Sequence, residues 1–426
     1  MNIPSLFTLS DSRTDSAGRG ADSEAPSAPL IRTVPSAITP ISPRDILAGV
    51  HGQYSNSGRK EFRIQILRYL DGNSAGTYTS FRRALAACLQ TLRAESTAST
   101  VLVPSFCSSD YPKVTDGIGL DLRRYDVHPE TLAADIDSLR SQSFDDVLAV
   151  IAVNVLGYTS EMETIETLCD AQDVFLVEAL GYGIGAEYRG RRLGAFGDCS
   201  VLNFQQGKPL PIGGGMVVSQ HPKLTFDDAT RPAISPNIST LSGYMLFSHP
   251  EMYGLYRNGG EKIATVVTGT ERPSTHPESK EAVTYAPPFK TMSDFQGAVG
   301  CRVLDRLSAH RKERAQTAQW YTEQLVGHDV VTLLSPVADM NNHPYVRYPL
   351  LIDSQERRKQ LYDRLAAAGI QSSILYDWPP IDADRYPGGA MLQDRLLTIP
   401  THPYVSEADR SRVVECITQL DNGVTE

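Results

Sequence analysis

The chain has 426 residues, of which 41% are hydrophobic and 21% charged, a balance typical of a globular protein with room for more than one domain. Its formal net charge of −10 excludes nucleic acid and anionic membrane surfaces as main partners, because both bind a basic face. We find no apolar run of transmembrane length and no secretory signal pattern at the first residues.

The cysteines are scattered along the chain, at positions 88, 107, 169, 199, 301 and 416. They form neither a CxxC pair nor a Cys/His cluster with the spacing of metal ligands. In a chain of this size we therefore expect free thiols in a reducing cytoplasm and no metal site.

The N-terminal part of the chain divides into a polar tail and a helical region. Residues 1–30 are rich in Ser, Ala, Asp, Pro and Gly, which predicts a disordered tail. Apolar spacing then predicts three helices, over residues 44–50, 61–70 and 81–93. Thr79 or Ser80 would cap the third helix. A helix start with free N–H groups and hydroxyls can hold a phosphate, although an ordinary cap explains the same residues equally well.

Strands and helices alternate from about residue 76 to residue 219. Short apolar runs predict strands at 100–103, 120–125, 147–155, 174–177 and 201–204 and another after the glycine run 213–215. Helices are predicted between strands, at 128–139 and 161–170. The run VLAVIAVNV at 147–155 is typical of a parallel strand covered on both faces. The alternation indicates an α/β fold with a mostly parallel sheet.

The C-terminal third predicts a second, smaller unit. Residues 222–290 have weak periodicity, and we expect irregular helices and loops there. A helical pattern capped by Ser293 follows and continues to Leu325. Beyond it the chain predicts strands at 346–352, 374–376 and 396–399 and helices at 354–368 and 406–420. We therefore predict a large α/β domain over 31–290 and a small α/β domain over 291–426.

Two charged residues follow predicted strands of the large domain. Glu178 ends the strand at 174–177, and Lys208 comes just beyond the strand at 201–204. Ligands bind outside the carboxyl ends of strands in such sheets. An amine and a carboxylate there suit pyridoxal phosphate, whose aldehyde binds an amine and whose pyridine nitrogen is kept protonated by an acid. Taken alone, however, Lys208 is more simply a solvated surface lysine.

The order of these landmarks resembles the DegT/DnrJ group of pyridoxal-phosphate sugar aminotransferases. The most specific segments are AEYRGRRLGAFGD (186–198), VLNF followed by GK (201–208) and the glycine run 213–215. Three further segments support them: LGYTSEMETI (156–165), MSDFQGAVG (292–300) and LLTIPTHPYVSEAD (396–409). The resemblance covers roughly residues 33–420. It implies the aspartate-aminotransferase-like fold, called fold type I, in a homodimer with shared active sites.

The resemblance also implies roles for individual residues. Lys208 falls on the lysine that forms the Schiff base with pyridoxal 5'-phosphate, and Thr79 and Ser80 fall on the turn that holds the cofactor phosphate. Asn203 stands where the family usually has a serine touching that phosphate. Tyr182 stands where a Gln or His usually approaches the ring hydroxyl of the cofactor.

The chain also departs from the family pattern at two further positions. Ala179 occupies the place of the Asp that pairs with the pyridine nitrogen, and Glu178 lies one residue earlier. Successive side chains of a strand face opposite ways, so Glu178 replaces the Asp only if the strand ends early or the next loop carries an extra residue. Phe81 also stands where the family commonly has Gly, which would close the approach of the backbone to the phosphate.

Three functions stay open on the sequence. The first is a pyridoxal-phosphate-dependent aminotransferase that acts on the amino or keto group of a small metabolite, a sugar or an amino-acid-like compound, in a biosynthetic pathway. In the second, the scaffold is kept without transamination, as a pseudoenzyme or with a repurposed pocket. The third is another reaction on the same cofactor, such as elimination or decarboxylation. Arg347 would meet a substrate carboxylate or sugar, or is an ordinary arginine at a strand edge.

Overall fold

The computed structural model describes residues 32–228, 231–232, 238–255, 285, 287, 289–376 and 379–422. The predicted tail over residues 1–30 lies outside them, as does much of the predicted irregular segment 222–290. Among the described residues, none of the helices has both the length and the apolar character needed to cross a lipid bilayer.

The described strands, numbered in chain order, are β1 Ser74–Tyr78, β2 Thr100–Pro104, β3 Asp121–Tyr125, β4 Val147–Val153, β5 Phe175–Leu180, β6 Glu187–Tyr188, β7 Arg191–Arg192, β8 Cys199–Asn203, β9 Gly215–Ser219, β10 Arg231–Pro232, β11 Lys290–Thr291, β12 Val331–Leu333, β13 Met340–Asn341, β14 Arg347–Ile352 and β15 Leu396–Pro400. The described α-helices are α1 Pro43–Ser55, α2 Gly58–Leu70, α3 Phe81–Glu95, α4 Asp110–Gly117, α5 Ile136–Arg140, α6 Met162–Gln172, α7 Ile238–Phe247, α8 Pro250–Gly254, α9 Asp294–Asp305, α10 Leu307–Leu325, α11 Gln355–Ala367, α12 Pro387–Arg395 and α13 Glu407–Asn422.

A seven-stranded sheet forms the centre of the large domain, in the order β1-β9-β8-β5-β4-β2-β3. Five adjacent strands, β8, β5, β4, β2 and β3, run parallel to one another. Strand β9 is antiparallel to both β1 and β8. The prediction of an α/β fold with a mostly parallel sheet is confirmed. The apolar run that predicts β4 is buried along nearly its whole length, because helices cover both faces of the sheet.

Two apolar clusters cover the two faces of this sheet. Along β5, Leu176 and Leu180 pack into the cluster that contains Phe62, while Val177 and Ala179 pack into the opposite cluster with Leu85. Side chains of a strand alternate between the faces. The face to which each residue of β5 points is therefore fixed by burial on both sides.

A smaller antiparallel sheet, in the order β12-β14-β15, has a separate core in the C-terminal region. Helix α9 precedes that sheet but packs through Phe295 and Val299 into the cluster of the large sheet that holds Phe62. Its packing thus associates this helix with the large body. The domain boundary between residues 290 and 291 stays a prediction.

Three predicted elements are wrong in extent. The helix predicted over 128–139 is reduced to Ile136–Arg140, because the Asp135 carboxylate caps a later start and Leu132 has a positive φ of 57°. The strand predicted at 374–376 is absent, with Ser373 making only an isolated bridge to Thr398. The helical pattern over 293–325 is broken at Arg306, which turns to donate to both carboxylate oxygens of Asp45.

Candidate active site

Most of the predicted site residues follow strands that end at the same side of the central sheet. Tyr78 at the end of β1 lies opposite Gly215 at the start of β9, which in turn lies opposite Asn203 at the end of β8. Thr79 follows Tyr78 directly, and Lys208 lies five residues after Asn203, the last residue of β8. The register of three strands therefore brings the turn before α3 and the lysine loop to the same crevice, where ligands of such sheets bind.

The glycine run between β8 and β9 makes this convergence possible. Gly213 and Gly214 have φ values of 79° and 91°, a conformation that side chains other than glycine's rarely adopt. A Cβ atom on Gly214 would also stand 2.7 Å from the carbonyl oxygen of Tyr78. The return of the chain after Lys208 thus requires glycine for backbone geometry.

Lys208 is half-buried and lies against the aromatic ring of Tyr182. Its Nζ atom is 3.3 Å from the centroid of that ring, within the range of a cation–π contact. A Cβ atom on Gly181 would lie 3.6 Å from the same Nζ and 3.9 Å from the Cβ atom of Asn203. The Lys208 carbonyl accepts a hydrogen bond of 2.9 Å from Thr39 Oγ1, which anchors the loop from outside the pocket. The structure therefore brings Lys208, Tyr182 and Asn203 together, as the resemblance implies.

Burial and charge perturb both partners of the Lys208–Tyr182 contact. Burial lowers the pKa of the Lys208 amine, because the charged form is poorly solvated in the pocket. Burial by itself would raise the pKa of Tyr182, but the positive charges of Lys208 and Arg347 outweigh it and lower that pKa to about 8. An amine with a lowered pKa is neutral in a larger fraction of molecules at neutral pH, which is the form that attacks an aldehyde.

We expect the phenol of Tyr182 to ionise near pH 8, because the neighbouring cations stabilise the phenolate. A titration of the cofactor-free protein, followed by the ultraviolet absorbance of phenolate, should show one early step that Tyr182→Phe removes. Tyr404→Phe is the control, since burial raises the pKa of Tyr404 and its loss should leave the step in place. An early step that survives in Tyr182→Phe would contradict the assignment.

The turn before α3 has the form of a capped helix N-terminus. Ser80, one of the two residues predicted as the cap, is the N-cap and accepts a hydrogen bond of 3.3 Å from the backbone N–H of Arg83. Thr79 Oγ1 accepts from Arg83 Nη1 at 2.9 Å. Both hydroxyls act as acceptors here, so each can still donate its own hydrogen to an anion. The ring of Phe81 packs edge-on against Tyr111 in the core, with centroids 5.9 Å apart.

Glu178 is not the acid partner that its spacing from Lys208 suggests. Its carboxylate is fully buried on the face of β5 opposite to Ala179 and accepts three backbone N–H groups, from Gly194 at 2.7 Å, Phe196 at 2.6 Å and Gly197 at 3.0 Å. Burial raises the pKa of Glu178, and the three donors oppose that rise. The strand does not end early, so the alternation of faces turns Glu178 away from the pocket.

The hydrogen bonds of Glu178 show what the segment AEYRGRRLGAFGD (186–198) does in the fold. Its loop at residues 194–197 wraps the Glu178 carboxylate, and Asp198 accepts a hydrogen bond of 2.8 Å from the backbone N–H of Leu176. Gly194 has a φ of 94°, and a Cβ atom there would stand 2.3 Å from Leu180. The segment thus holds strand β5 in place from the face opposite to Ala179.

Asn154 is a polar residue of this region that the sequence analysis missed. It directly follows β4, whose last residue, Val153, lies opposite Ala179 in the register. Its side chain is 2% exposed, and its Nδ2 atom has no hydrogen-bond partner among the described residues. A Cβ atom on Gly183, next to Tyr182, would lie 3.1 Å from that of Asn154. The signal that could have found it is its position as the polar residue at the end of a buried parallel strand.

Two cavities lie elsewhere on the described surface. One of about 520 Å³ is lined by His128, Asp135 and Glu161 among others, and one of about 390 Å³ by Gln90 and Phe289 among others. Neither is lined by Lys208. The candidate site at Lys208 therefore rests on its amine, the neighbouring phenol of Tyr182 and the capped helix start, and these two cavities do not bear on it.

The chain is similar in sequence and in fold to known proteins. A model of the DegT/DnrJ/EryC1/StrS aminotransferase family matches residues 48–230 and 267–418. A GDP-perosamine synthase of Caulobacter vibrioides is 22% identical over 69% of this chain and 72% of its own length. The erythromycin biosynthesis sensory transduction protein EryC1 of Saccharopolyspora erythraea is 25% identical over 68% of this chain and 70% of its own. A solved putative sugar aminotransferase of Streptococcus pneumoniae superposes with a TM-score of 0.71 at 18% identity, over 92% of this chain and 98% of that one.

Proposed function

Because the chain belongs to the DegT/DnrJ/EryC1/StrS aminotransferase family, we propose that it transfers an amino group to or from a small biosynthetic metabolite, a sugar or an amino-acid-like compound, with pyridoxal 5'-phosphate bound at Lys208. The observation that carries the proposal is the Lys208 amine, held at the sheet edge against Tyr182 and beside Asn203. The family and its relatives in sugar biosynthesis support the reaction type.

The pocket fits most of this cofactor. Lys208 supplies the amine for its aldehyde, and the start of the 15-residue helix α3 supplies N–H groups and the hydroxyls of Thr79 and Ser80 for its phosphate. Asn203 adds an amide at the same edge of the sheet. The pyridine nitrogen is the exception, because Ala179 offers it no acid and the Glu178 carboxylate faces the other way.

Each residue would have a defined task in the reaction. When bound, pyridoxal phosphate supplies an electron sink for bonds at the carbon that carries the amino group. Lys208, released from the aldehyde, would take a proton from that carbon and return it as a general base and acid. Tyr182 would hold the Lys208 amine in place through the face of its ring, and its hydroxyl would exchange a proton with that amine.

The missing acid favours the second candidate, a family member that does not transaminate. Without a carboxylate on the pyridine nitrogen, negative charge on the reacting carbon is poorly stabilised and amino transfer is slowed. The fate of the amino group distinguishes the two candidates. A chain that binds the cofactor at Lys208 but passes no amino group to any keto acid or keto sugar would support the second.

We propose further that two copies of this chain associate and that the protein works in the cytoplasm. Helix α1 exposes an apolar stripe of Leu47, Val50 and Tyr54, which are 68%, 46% and 91% exposed and lie on one side of the helix. Such a stripe suits a second copy, and light scattering measures the association directly.

The six cysteines are all buried free thiols, which suits a reducing compartment.

The proposed function is tested by attaching the cofactor to the chain. Purified protein mixed with pyridoxal phosphate should gain a visible absorbance band. Treatment with sodium borohydride should then bind the cofactor permanently to the peptide that contains Lys208, as mass spectrometry of the digest would show. Excess inorganic phosphate should slow the labelling if the start of α3 holds the cofactor phosphate. Labelling spread over surface lysines, without a preference for Lys208, would overturn the proposal.

A further inference from the structure

A largely buried segment, residues 33–41, connects the C-terminal region with the loop that carries the reactive lysine. At its beginning the Val34 N–H donates to the Gly369 carbonyl at 2.8 Å, and the Val34 carbonyl accepts from the Gln371 N–H at 2.9 Å. These bonds join the start of the segment to the C-terminal region on both sides of one residue.

Thr39 lies near the other end of this segment and is 1% exposed. The hydroxyl of Tyr244, on α7, accepts from the Thr39 N–H at 3.1 Å and donates to the Thr39 carbonyl at 3.3 Å. Arg314, on α10, donates through Nη2 to the Ile38 carbonyl at 3.2 Å and to Thr39 Oγ1. Side chains from two helices therefore fix both the backbone and the hydroxyl of Thr39.

The chemistry of Arg314 sets the direction in which the Thr39 hydroxyl donates. A guanidinium has only donors, and a carbonyl oxygen only accepts. The hydroxyl therefore accepts from Arg314 and directs its own hydrogen to the Lys208 carbonyl, 2.9 Å from Oγ1. Arg314 is 0% exposed, and its Nε and Nη1 atoms have no hydrogen-bond partner among the described residues. Burial strengthens the bonds that this guanidinium does form, because water does not compete for them.

The lysine loop itself holds Lys208 by a backbone hydrogen bond of 3.2 Å, from its N–H to the Gln205 carbonyl. The loop continues through Pro209 and Pro211, which have no N–H to donate. The hydrogen bond from Thr39 thus supports the carbonyl side of Lys208 from outside the loop.

We propose that Thr39 is a positioning residue for Lys208: its hydroxyl, oriented by Arg314, fixes the Lys208 backbone so that the amine meets the ring of Tyr182. The amine has to reach both the aldehyde of the cofactor and the carbon whose proton it moves, so a small displacement slows both steps. Because the segment before Thr39 is bonded to the C-terminal region, that region takes part in setting the position of the amine. The catalytic consequence rests on the proposed function, whereas the contact between Lys208 and Tyr182 does not.

The first measurement uses the full chain before the cofactor is added and follows the phenolate absorbance of Tyr182. Thr39→Val keeps the shape of the side chain and removes its hydroxyl. The step near pH 8 should then move to higher pH by roughly one unit, because the Lys208 charge that lowers the pKa of Tyr182 leaves the ring. Thr39→Ser keeps the hydroxyl and should keep the step in place. Three further groups act on the charges of this pair, and both substitutions leave them unaltered: Arg347, Asp110 and Tyr376.

The second measurement adds pyridoxal phosphate and follows the visible band. In Thr39→Val the band should form about 10- to 100-fold more slowly, since a displacement of about 1 Å at a reacting group costs up to that much, and Thr39→Ser should restore the rate. Thr398→Val is the matched control, because Thr398 is also fully buried and donates to a backbone carbonyl, that of Ser373, at 3.1 Å. It should leave both the phenol step and the rate unchanged.

Arg314 acts through Thr39 in this proposal, so its removal should add nothing once the hydroxyl is gone. Arg314→Met should shift the phenol step in the same direction as Thr39→Val, and the double variant should shift it no further than Thr39→Val alone. Additive shifts would overturn the proposal, because Arg314 would then act on the pocket independently of the hydroxyl.

An unchanged phenol step together with an unchanged rate in Thr39→Val would also overturn the inference, as would equal changes in Thr398→Val. If Thr39→Val does not fold, Thr39→Cys decides by the same titration, because a thiol is a weak donor and should give a smaller shift in the same direction. A phenol step that depends on Thr39, in a protein that forms no bond to the cofactor at Lys208, would support the positioning and remove the proposed function. Labelling of Lys208 at the unaltered rate with an unchanged phenol step would do the reverse.

Discussion

Lys208→Ala is expected to abolish measurable amino transfer, with a loss of roughly 10²- to 10⁴-fold or more, because one amine both anchors the cofactor and moves the proton. The variant should keep its fold. The backbone carbonyl that accepts from Thr39 is retained, and removal of an amine that burial disfavours costs little stability. Amino transfer to a panel of keto acids and keto sugars, followed by chromatography of the products, measures the effect.

The control for this experiment is Lys223→Ala, which removes an exposed lysine outside the pocket and should leave transfer unchanged. Lys208→Arg adds a second comparison, since it keeps the positive charge beside Tyr182 but cannot form the bond to an aldehyde. Transfer at the unaltered rate in Lys208→Ala would refute the catalytic role. Transfer in Lys208→Arg but not in Lys208→Ala would assign the residue an electrostatic task instead.

Glu178→Ala is expected to lower the free energy of unfolding by about 3–5 kcal/mol, because three buried N–H groups of the loop at 194–197 lose their only acceptor among the described residues. Glu178→Gln should cost less. Its oxygen can still accept from Phe196 and Gly197, while its amide nitrogen would face the N–H of Gly194 and cannot accept from it. Urea unfolding followed by circular dichroism gives these free energies.

Glu415→Ala serves as the control for Glu178, because Glu415 is exposed on α13 and its loss should change stability by about 0.5 kcal/mol or less. A Glu178→Ala protein as stable as Glu415→Ala would refute the structural role. If Glu178 instead acted on the cofactor, Glu178→Gln would lose activity while keeping its stability. Because the contacts of Glu178 are buried and structural, we expect Glu178→Gln to lose stability and to keep its activity.

The sequence determined the elements whose cause is local. The apolar run at 147–155 became β4, because residues apolar on both faces form the middle of a covered parallel sheet. Ser293 caps the helix that it is predicted to cap, and Ser80 is one of the two residues predicted for the other helix, since a cap needs only its own backbone neighbours. The position of Lys208 beyond a strand end also follows from local order together with the rule for ligand sites in α/β sheets.

Other features were decided only by the tertiary structure. Spacing along the chain does not show that the Glu178 side chain points away from Lys208. That orientation depends on the loop at 194–197, which surrounds the carboxylate. The helix predicted over 128–139 is shorter in the structure for a similar reason, since it begins after the cap at Asp135. The burial of Arg347, whose Nε and Nη1 atoms have no hydrogen-bond partner among the described residues, likewise depends on tertiary packing. Hydrophobic period and capping are properties of neighbouring residues, whereas the partner of a buried charge is set by chain segments far apart in sequence.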